Sequence, residues 1–148
     1  AYRQDVNGKS PAIVIQQDAR IEAIGTAEQP ITFTSVLPDI VLPQRGTWGG
    51  LILLGNARIS KTSGRNDIEG LDVPYGRYGG VTDSDNSGTL KYVRVWYGGA
   101  DIGFSTVENE NSGNEINGIT FGGVGNATTV EHVEVAWNKD DGFEIFGG

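Results

Sequence analysis

One strand-sized stretch of this chain is written twice. Thr89-Leu90-Lys91-Tyr92-Val93-Arg94-Val95-Trp96-Tyr97 lies on Thr129-Val130-Glu131-His132-Val133-Glu134-Val135-Ala136-Trp137 at an offset of 40, with Thr, two Val and a closing aromatic in equivalent places. Such a repeat restricts the fold severely. A single copy cannot bury its own apolar face, whereas stacking it on the next copy buries both, which is the logic of a solenoid. Each copy alternates, so Val93, Val95, Val133 and Val135 point one way and Tyr92, Arg94, His132 and Glu134 the other, as a half-buried strand requires. Stacking at this offset sets Arg94 over Glu134 and Tyr92 over His132, roughly 4.8 Å apart on neighbouring coils. An ion pair and a ring stack on the outer wall follow, each worth about 0.2–1 kcal/mol.

The remaining segments obey the same pattern. Residues 12–16, 20–24 and 31–34 are three short β-branched runs separated by short corners, which together make one coil of a parallel β-helix, each strand bonding to the coils above and below. The runs are too short, too β-branched and too often broken for helices. Residues 36–47, with Pro38 and Pro43, read as a corner loop. Residues 48–55 form a continuous apolar run, the signature of a strand covered on both faces, and residues 57–60 read as a short partner strand. A polar excursion over residues 61–88, with Tyr75 and Tyr78 near its middle, is either functional or an ordered flap. Another spans residues 98–115 and ends in Glu108, Asn109, Glu110, Asn111 and Asn114. Residues 116–123 then repeat the role of 48–55 one coil on, and a last alternation follows at 143–146.

Composition narrows the class. The 23 glycines in 148 residues far exceed the usual share of roughly 7%, but they have no three-residue period and mark strand ends, so collagen is excluded. A net charge of -8, with 11 Lys and Arg and no basic run, makes nucleic acid and anionic membrane poor partners and a cation a better one. No apolar run approaches the roughly 18 residues of a membrane span. The absence of Cys rules out disulfides and thiolate sites without deciding the compartment. With neither Met nor a leader before Ala1, the chain reads as part of a longer product.

Four separated motifs, residues 48–55, 88–95, 114–125 and 140–148, resemble in the same order a group of bacterial cell-surface and secreted proteins whose fold is a right-handed parallel β-helix related to pectate lyases. The resemblance runs from about residue 12 to the end. It implies an exported protein for which no catalytic activity is established, so transfer of function from the fold is an analogy. The expected architecture is therefore all-β, a right-handed parallel β-helix of about three to four coils with long polar loop insertions. Residues 12–148 form the β-helix domain and residues 1–11 an N-terminal arm or weak strand.

Three groups of residues are candidates for chemistry. Asp83, Asp85 and Ser87, at alternate positions before Gly88, look like the start of a calcium loop, with Asp67 or Asp72 available to complete it. The loop fails at its twelfth position, which is Arg94, and the same residues also make ordinary turns. Asp140 and Asp141, flanked by Asn138 and Glu144, form a second acidic knot, read as a corner turn, a second calcium site or an acid/base pair for glycosidic bonds. The Gly-His-Gly and Arg-x-Lys signatures of polygalacturonase-like enzymes are absent, and a lyase base has one candidate, Arg94. Trp96, Trp137, Tyr75 and Tyr78, with Tyr97, offer flat rings for carbohydrate or cover the core edge.

The expected function is a non-catalytic extracellular module that supports, adheres or assembles at the bacterial surface. Self-association through open β-helix ends has a physical motive in unpaired backbone groups, and head-to-tail contacts yield filaments. The alternatives are a polysaccharide lyase or glycosidase fragment and a carbohydrate-binding module.

Overall fold

The computed structural model describes residues 10–36, 44–71, 73–102 and 116–148; the 1–9 arm, Asp72 and the Glu108 to Asn114 segment lie outside them. The described residues form ten strands and no helix. Sheet A contains β1 (Ile13–Ile15), β4 (Leu51–Leu54), β8 (Ile119–Gly122) and β10 (Phe143–Phe146), paired in that order and all parallel. Sheet B is built on β7 (Gly88–Trp96). One edge of β7 pairs first with β2 (Ile21–Ile24) and then with β3 (Ile31–Phe33), and the other edge pairs with β9 (Thr129–Ala136), again all parallel. The one antiparallel pair joins β5 (Asn66–Asp67) to β6 (Arg77–Tyr78) inside the long excursion. Elsewhere no two consecutive strands pair, as expected of a chain that winds around an axis and bonds to its own previous pass.

The forty-residue offset is the register of β7 on β9. Val93 pairs with Val133, Arg94 with Glu134 and Val95 with Val135. Tyr92 stacks on His132 with centroids 4.4 Å apart and planes 7° from parallel. The Arg94 ion pair is looser: its Nε stands 3.9 Å from Glu134 Oε1. That oxygen instead accepts a 2.8 Å hydrogen bond from Trp96 Nε1, so the indole takes the carboxylate and leaves Arg94 5.5 Å over the Trp96 ring.

Strict alternation along these strands is broken once. Tyr92 and His132 have φ of 49° and 52°, a left-handed corner that shifts the inward phase by one residue. Leu90 and Val93, three apart, are therefore both fully buried. Gly25 and the residues before β3 occupy this corner on the first pass, which is why β2 and β3 together match the single strand β7.

Sheets A and B share one interior of Leu51, Leu53, Ile119 and Phe121 against Ala23, Leu90, Val93 and Val95, with Trp48 at its edge. Sheet A is also covered outside. Ile52 and Leu54 pack under Ile68 and Tyr78 from the 61–88 excursion and under Ile102 and Ile116. That excursion is thus an ordered flap, and the all-apolar β4 is buried on both faces as its sequence demands. Residues 57–60, expected to be a strand, are irregular: Ala57 N–H donates to Gly123 O at 2.8 Å while its carbonyl accepts from Gly80 N–H at 3.0 Å, so neighbouring corners and not a ladder hold it.

Candidate functional site

Where the flap meets the outer face of sheet A, a cleft of about 280 Å³ remains. Glu144 reaches it because β10 alternates: Phe143 and Ile145 continue the inward column above Ile119 and Phe121, which sends Glu144 outward over Thr120. Asn117, just before β8 and 4% exposed, donates its Nδ2 hydrogen to Glu144 Oε2. Asp140 comes from the turn between β9 and β10, which Asn138 Nδ2 closes by donating to the carbonyls of Asp140 at 3.0 Å and Asp141 at 2.7 Å. Asp67 and Glu69 line the cleft from the flap, with Lys61 beside them.

This cleft is rich in acceptors. Asp67 Oδ1 and Asn117 Oδ1 are buried and meet no hydrogen-bond donor among the described residues. Arg77 Nε lies 3.4 Å from Asp67 Oδ1, close enough for charge pairing but off the line of a hydrogen bond. Burial, followed by the charges of Asp140, Asp141 and Glu69, raises the Glu144 carboxyl above its ordinary range, against the opposing Asn117 hydrogen bond. A carboxyl that holds its proton to higher pH is the kind of group that donates a proton to a leaving oxygen.

The stability consequence has a definite sign. A carboxyl whose folded pKa lies above its unfolded one favours folding fully only below the unfolded value, and that contribution is lost as pH rises through the folded value. Glu144→Gln is therefore expected to stabilise the fold at neutral pH by a few tenths of a kcal/mol, about the scale of a partly exposed site, with the gain vanishing in acid. Urea midpoints across the carboxylate range would show it; a gain that persists or grows toward low pH would contradict the assignment.

The carboxylates of the other acidic group are turned onto side chains of this chain. Asp83 turns onto Arg58, with Nη1 to Oδ2 at 2.7 Å, while Asp85 accepts from Asn56 Nδ2 at 3.2 Å and from the buried Ser87 hydroxyl at 3.2 Å. Asn56 also donates to Asp18 at 3.1 Å, bridging two carboxylates. Among the described residues no three Asp, Glu or His side chains converge on one point, at Asp83 or at Asp140 and Asp141. Asp18, Asn56 and Asp85 instead line a larger polar cleft of about 580 Å³ with Arg20 and Arg65.

The aromatic residues divide. Trp96, Tyr97 and Trp137 cluster at the corner after sheet B, with Tyr97 stacked on Trp137 at 5.1 Å and 12° and Trp96 edge-on to Trp137 at 80°. Tyr97 covers one face of Trp137, and the indole remains 44% exposed. Tyr78 is elsewhere, 3% exposed in the outer core with its hydroxyl accepting from Asn66 Nδ2 at 2.9 Å, so its ring presents no face to a sugar. Tyr75 is exposed beside Ala12 and Leu71, away from the tryptophans.

Sequence reading missed Glu69, Asn117 and Asn56. Glu69 and Glu144 are far apart in the chain and only the docking of the flap joins them, so no spacing could announce the pair.

A family model described as a pectate-lyase like beta helix domain matches residues 3–148. No curated protein and no solved structure matches the chain.

Proposed function

The chain belongs to the pectate-lyase-like β-helix domain family, and on that premise we propose a non-catalytic, extracellular structural or adhesive module of the bacterial surface that self-associates through its open β-helix ends. The reading includes a right-handed winding of about three to four coils. One observation carries it. On the outermost described strands of the two sheets, β9 and β10, the apolar side chains Val130, Phe143 and Ile145 stand 43%, 47% and 72% exposed, beside backbone edges that pair with no strand among the described residues. Apolar side chains next to an unpaired edge favour another strand over water. The outer-wall charges support the same reading, since Lys91 pairs with Glu131 at 2.9 Å and Arg58 with Asp83, which spends them on neighbours along the stack.

Sedimentation across a wide concentration range tests this. The wild-type chain is expected to form species heavier than its 15.8 kDa, and Ile145→Lys to shift them toward monomer at least tenfold, since a buried lysine in the contact costs well over about 1.4 kcal/mol. A single monomeric species at every concentration would refute self-association.

A second reading, a polysaccharide lyase or glycosidase, is favoured by Glu144 and its acidic cleft. New reducing ends or unsaturated uronides released from acidic or neutral polysaccharides, and abolished by Glu144→Gln, would establish it in place of the first.

A further inference from the structure

We propose that the cleft between the flap and the outer face of sheet A binds a small hydroxylated organic cation, an amino sugar, with its primary ammonium among the carboxylates. The site asks only for binding, so it depends neither on self-association nor on bond cleavage.

The charge of this cleft is gathered from three separate places in the chain. The flap supplies Asp67 and Glu69, the turn before β10 supplies Asp140, and β10 itself supplies Glu144. Carboxylates that share one cleft oppose each other's ionisation, and a bound cation offsets that repulsion. The protein's own cations do not serve. Lys61, at the wall, is exposed and pairs with no carboxylate among the described residues, and Arg77 is turned onto Asp67 alone, at 3.4 Å.

A buried dipole adds to the field. Asn117 lines the cleft and is 4% exposed. Its Nδ2 donates to Glu144 Oε2, which fixes the amide with Oδ1 as its other end, and that oxygen meets no donor among the described residues. Asp67 Oδ1 is in the same condition. Buried acceptors without donors are uncommon in folded proteins, and their negative ends act strongly through a poorly screening interior. A wall with this excess of acceptors selects a ligand rich in N–H and O–H groups.

The arrangement sets three ligand classes apart. An anion, such as a uronate or a phosphate ester, meets like charge. A bare metal ion needs several oxygens around one point, and no three Asp, Glu or His side chains converge in this way among the described residues. An organic cation carries its donors spaced over its own skeleton, so it reaches acceptors that stand apart. The volume of about 280 Å³ lies at the small end of ligand pockets, roughly 300–1,000 Å³, which suits a single ring. Ile68, Ile116 and Phe146 in the lining offer the C–H face of that ring an apolar surface.

Titration of the isotope-labelled chain with glucosamine, just below neutral pH, tests the assignment, with the side-chain amide of Asn117 as reporter. A ligand of this size is expected to bind with a dissociation constant on the order of 1 mM. N-Acetylglucosamine keeps the ring and loses the charge, and should bind about tenfold more weakly for want of a charge-assisted hydrogen bond. Asp140→Asn and Glu69→Gln change exposed side chains, and each should weaken glucosamine by about two- to fivefold. Lys61→Met should tighten it by a similar factor, whereas an anionic ligand would lose affinity. Equal binding of glucosamine and N-acetylglucosamine overturns the role of the ammonium. Putrescine binding as tightly as glucosamine overturns the sugar assignment, and calcium chloride shifting the Asn117 amide at lower concentration than glucosamine overturns the preference for an organic cation. No shift at Asn117 at any glucosamine concentration rejects the site outright.

Discussion

Replacing Trp48 with alanine is expected to lower the unfolding free energy by about 3–5 kcal/mol. The indole is 1% exposed at the head of β4, inside the core shared by the two sheets. It also fixes a corner, because its Nε1 donates to the Trp96 carbonyl at 2.8 Å, tying the start of one strand to the end of β7. Truncation leaves a cavity of indole size and an unpaired carbonyl at once. Trp48→Phe separates these contributions, since it keeps most of the volume and loses the hydrogen bond, for a cost nearer 1 kcal/mol beyond the packing change. Against a total stability of about 5–15 kcal/mol for a domain, the alanine variant should show a sharply lower urea midpoint with an unchanged slope. A loss below about 1 kcal/mol would mean that the corner repacks without it.

Gly88→Ala should be nearly as damaging, for a different reason. Gly88 begins β7 at φ 111°, opposite Ile21 of β2. A Cβ placed there would run into the Ile21 carbonyl oxygen and come within 2.7 Å of the Ile21 nitrogen. Both obstacles are backbone held in the parallel pairing, so neither can rotate away. Strained backbone costs about 1–3 kcal/mol and overpacking a similar amount, giving a loss of roughly 3 kcal/mol or more. Gly64→Ala is the control. Gly64 has φ 67° but nothing within 4 Å of its hypothetical Cβ, so only the left-handed penalty of roughly 1–2 kcal/mol applies. Equal losses at the two positions would show that the close approach of β2 to β7 is not what Gly88 serves.

The repeat was legible because stacking leaves its mark in side chains. Val93 and Val133 must both be small, branched and apolar to share a core, and Tyr92 and His132 must both be flat to stack, so the register survives as a matched pair of words. The run at residues 48–55 was equally plain, since a strand buried on both faces favours apolar side chains along its whole length. The corner at Tyr92 was half legible. Leu90, Val93 and Val95 carry the phase slip in their spacing, but aromatic residues are not ordinary occupants of a left-handed turn, and unbroken alternation looked sufficient.

The candidate site was the least legible part. Asp140, Asp141 and Glu144 announced themselves by proximity in the chain, whereas Asp67, Glu69 and Asn117 reach the cleft only through the docking of a flap whose own sequence is polar and turn-rich. Tyr78 shows the converse. It sits in a glycine-rich stretch that reads as exposed, yet its ring fills the outer core over Phe146, 5.7 Å between centroids, because Asn66 satisfies its hydroxyl.

The claim beneath all of this is that residues forty apart are vertical neighbours on parallel strands. Nuclear Overhauser contacts on an isotope-labelled chain test it most directly. The account predicts backbone contacts of parallel pattern linking Thr89 to Thr129, Val93 to Val133 and Val95 to Val135, together with ring contacts between Tyr92 and His132. Antiparallel contacts, or valines 93 and 133 each contacting a separate set of core residues, would contradict it.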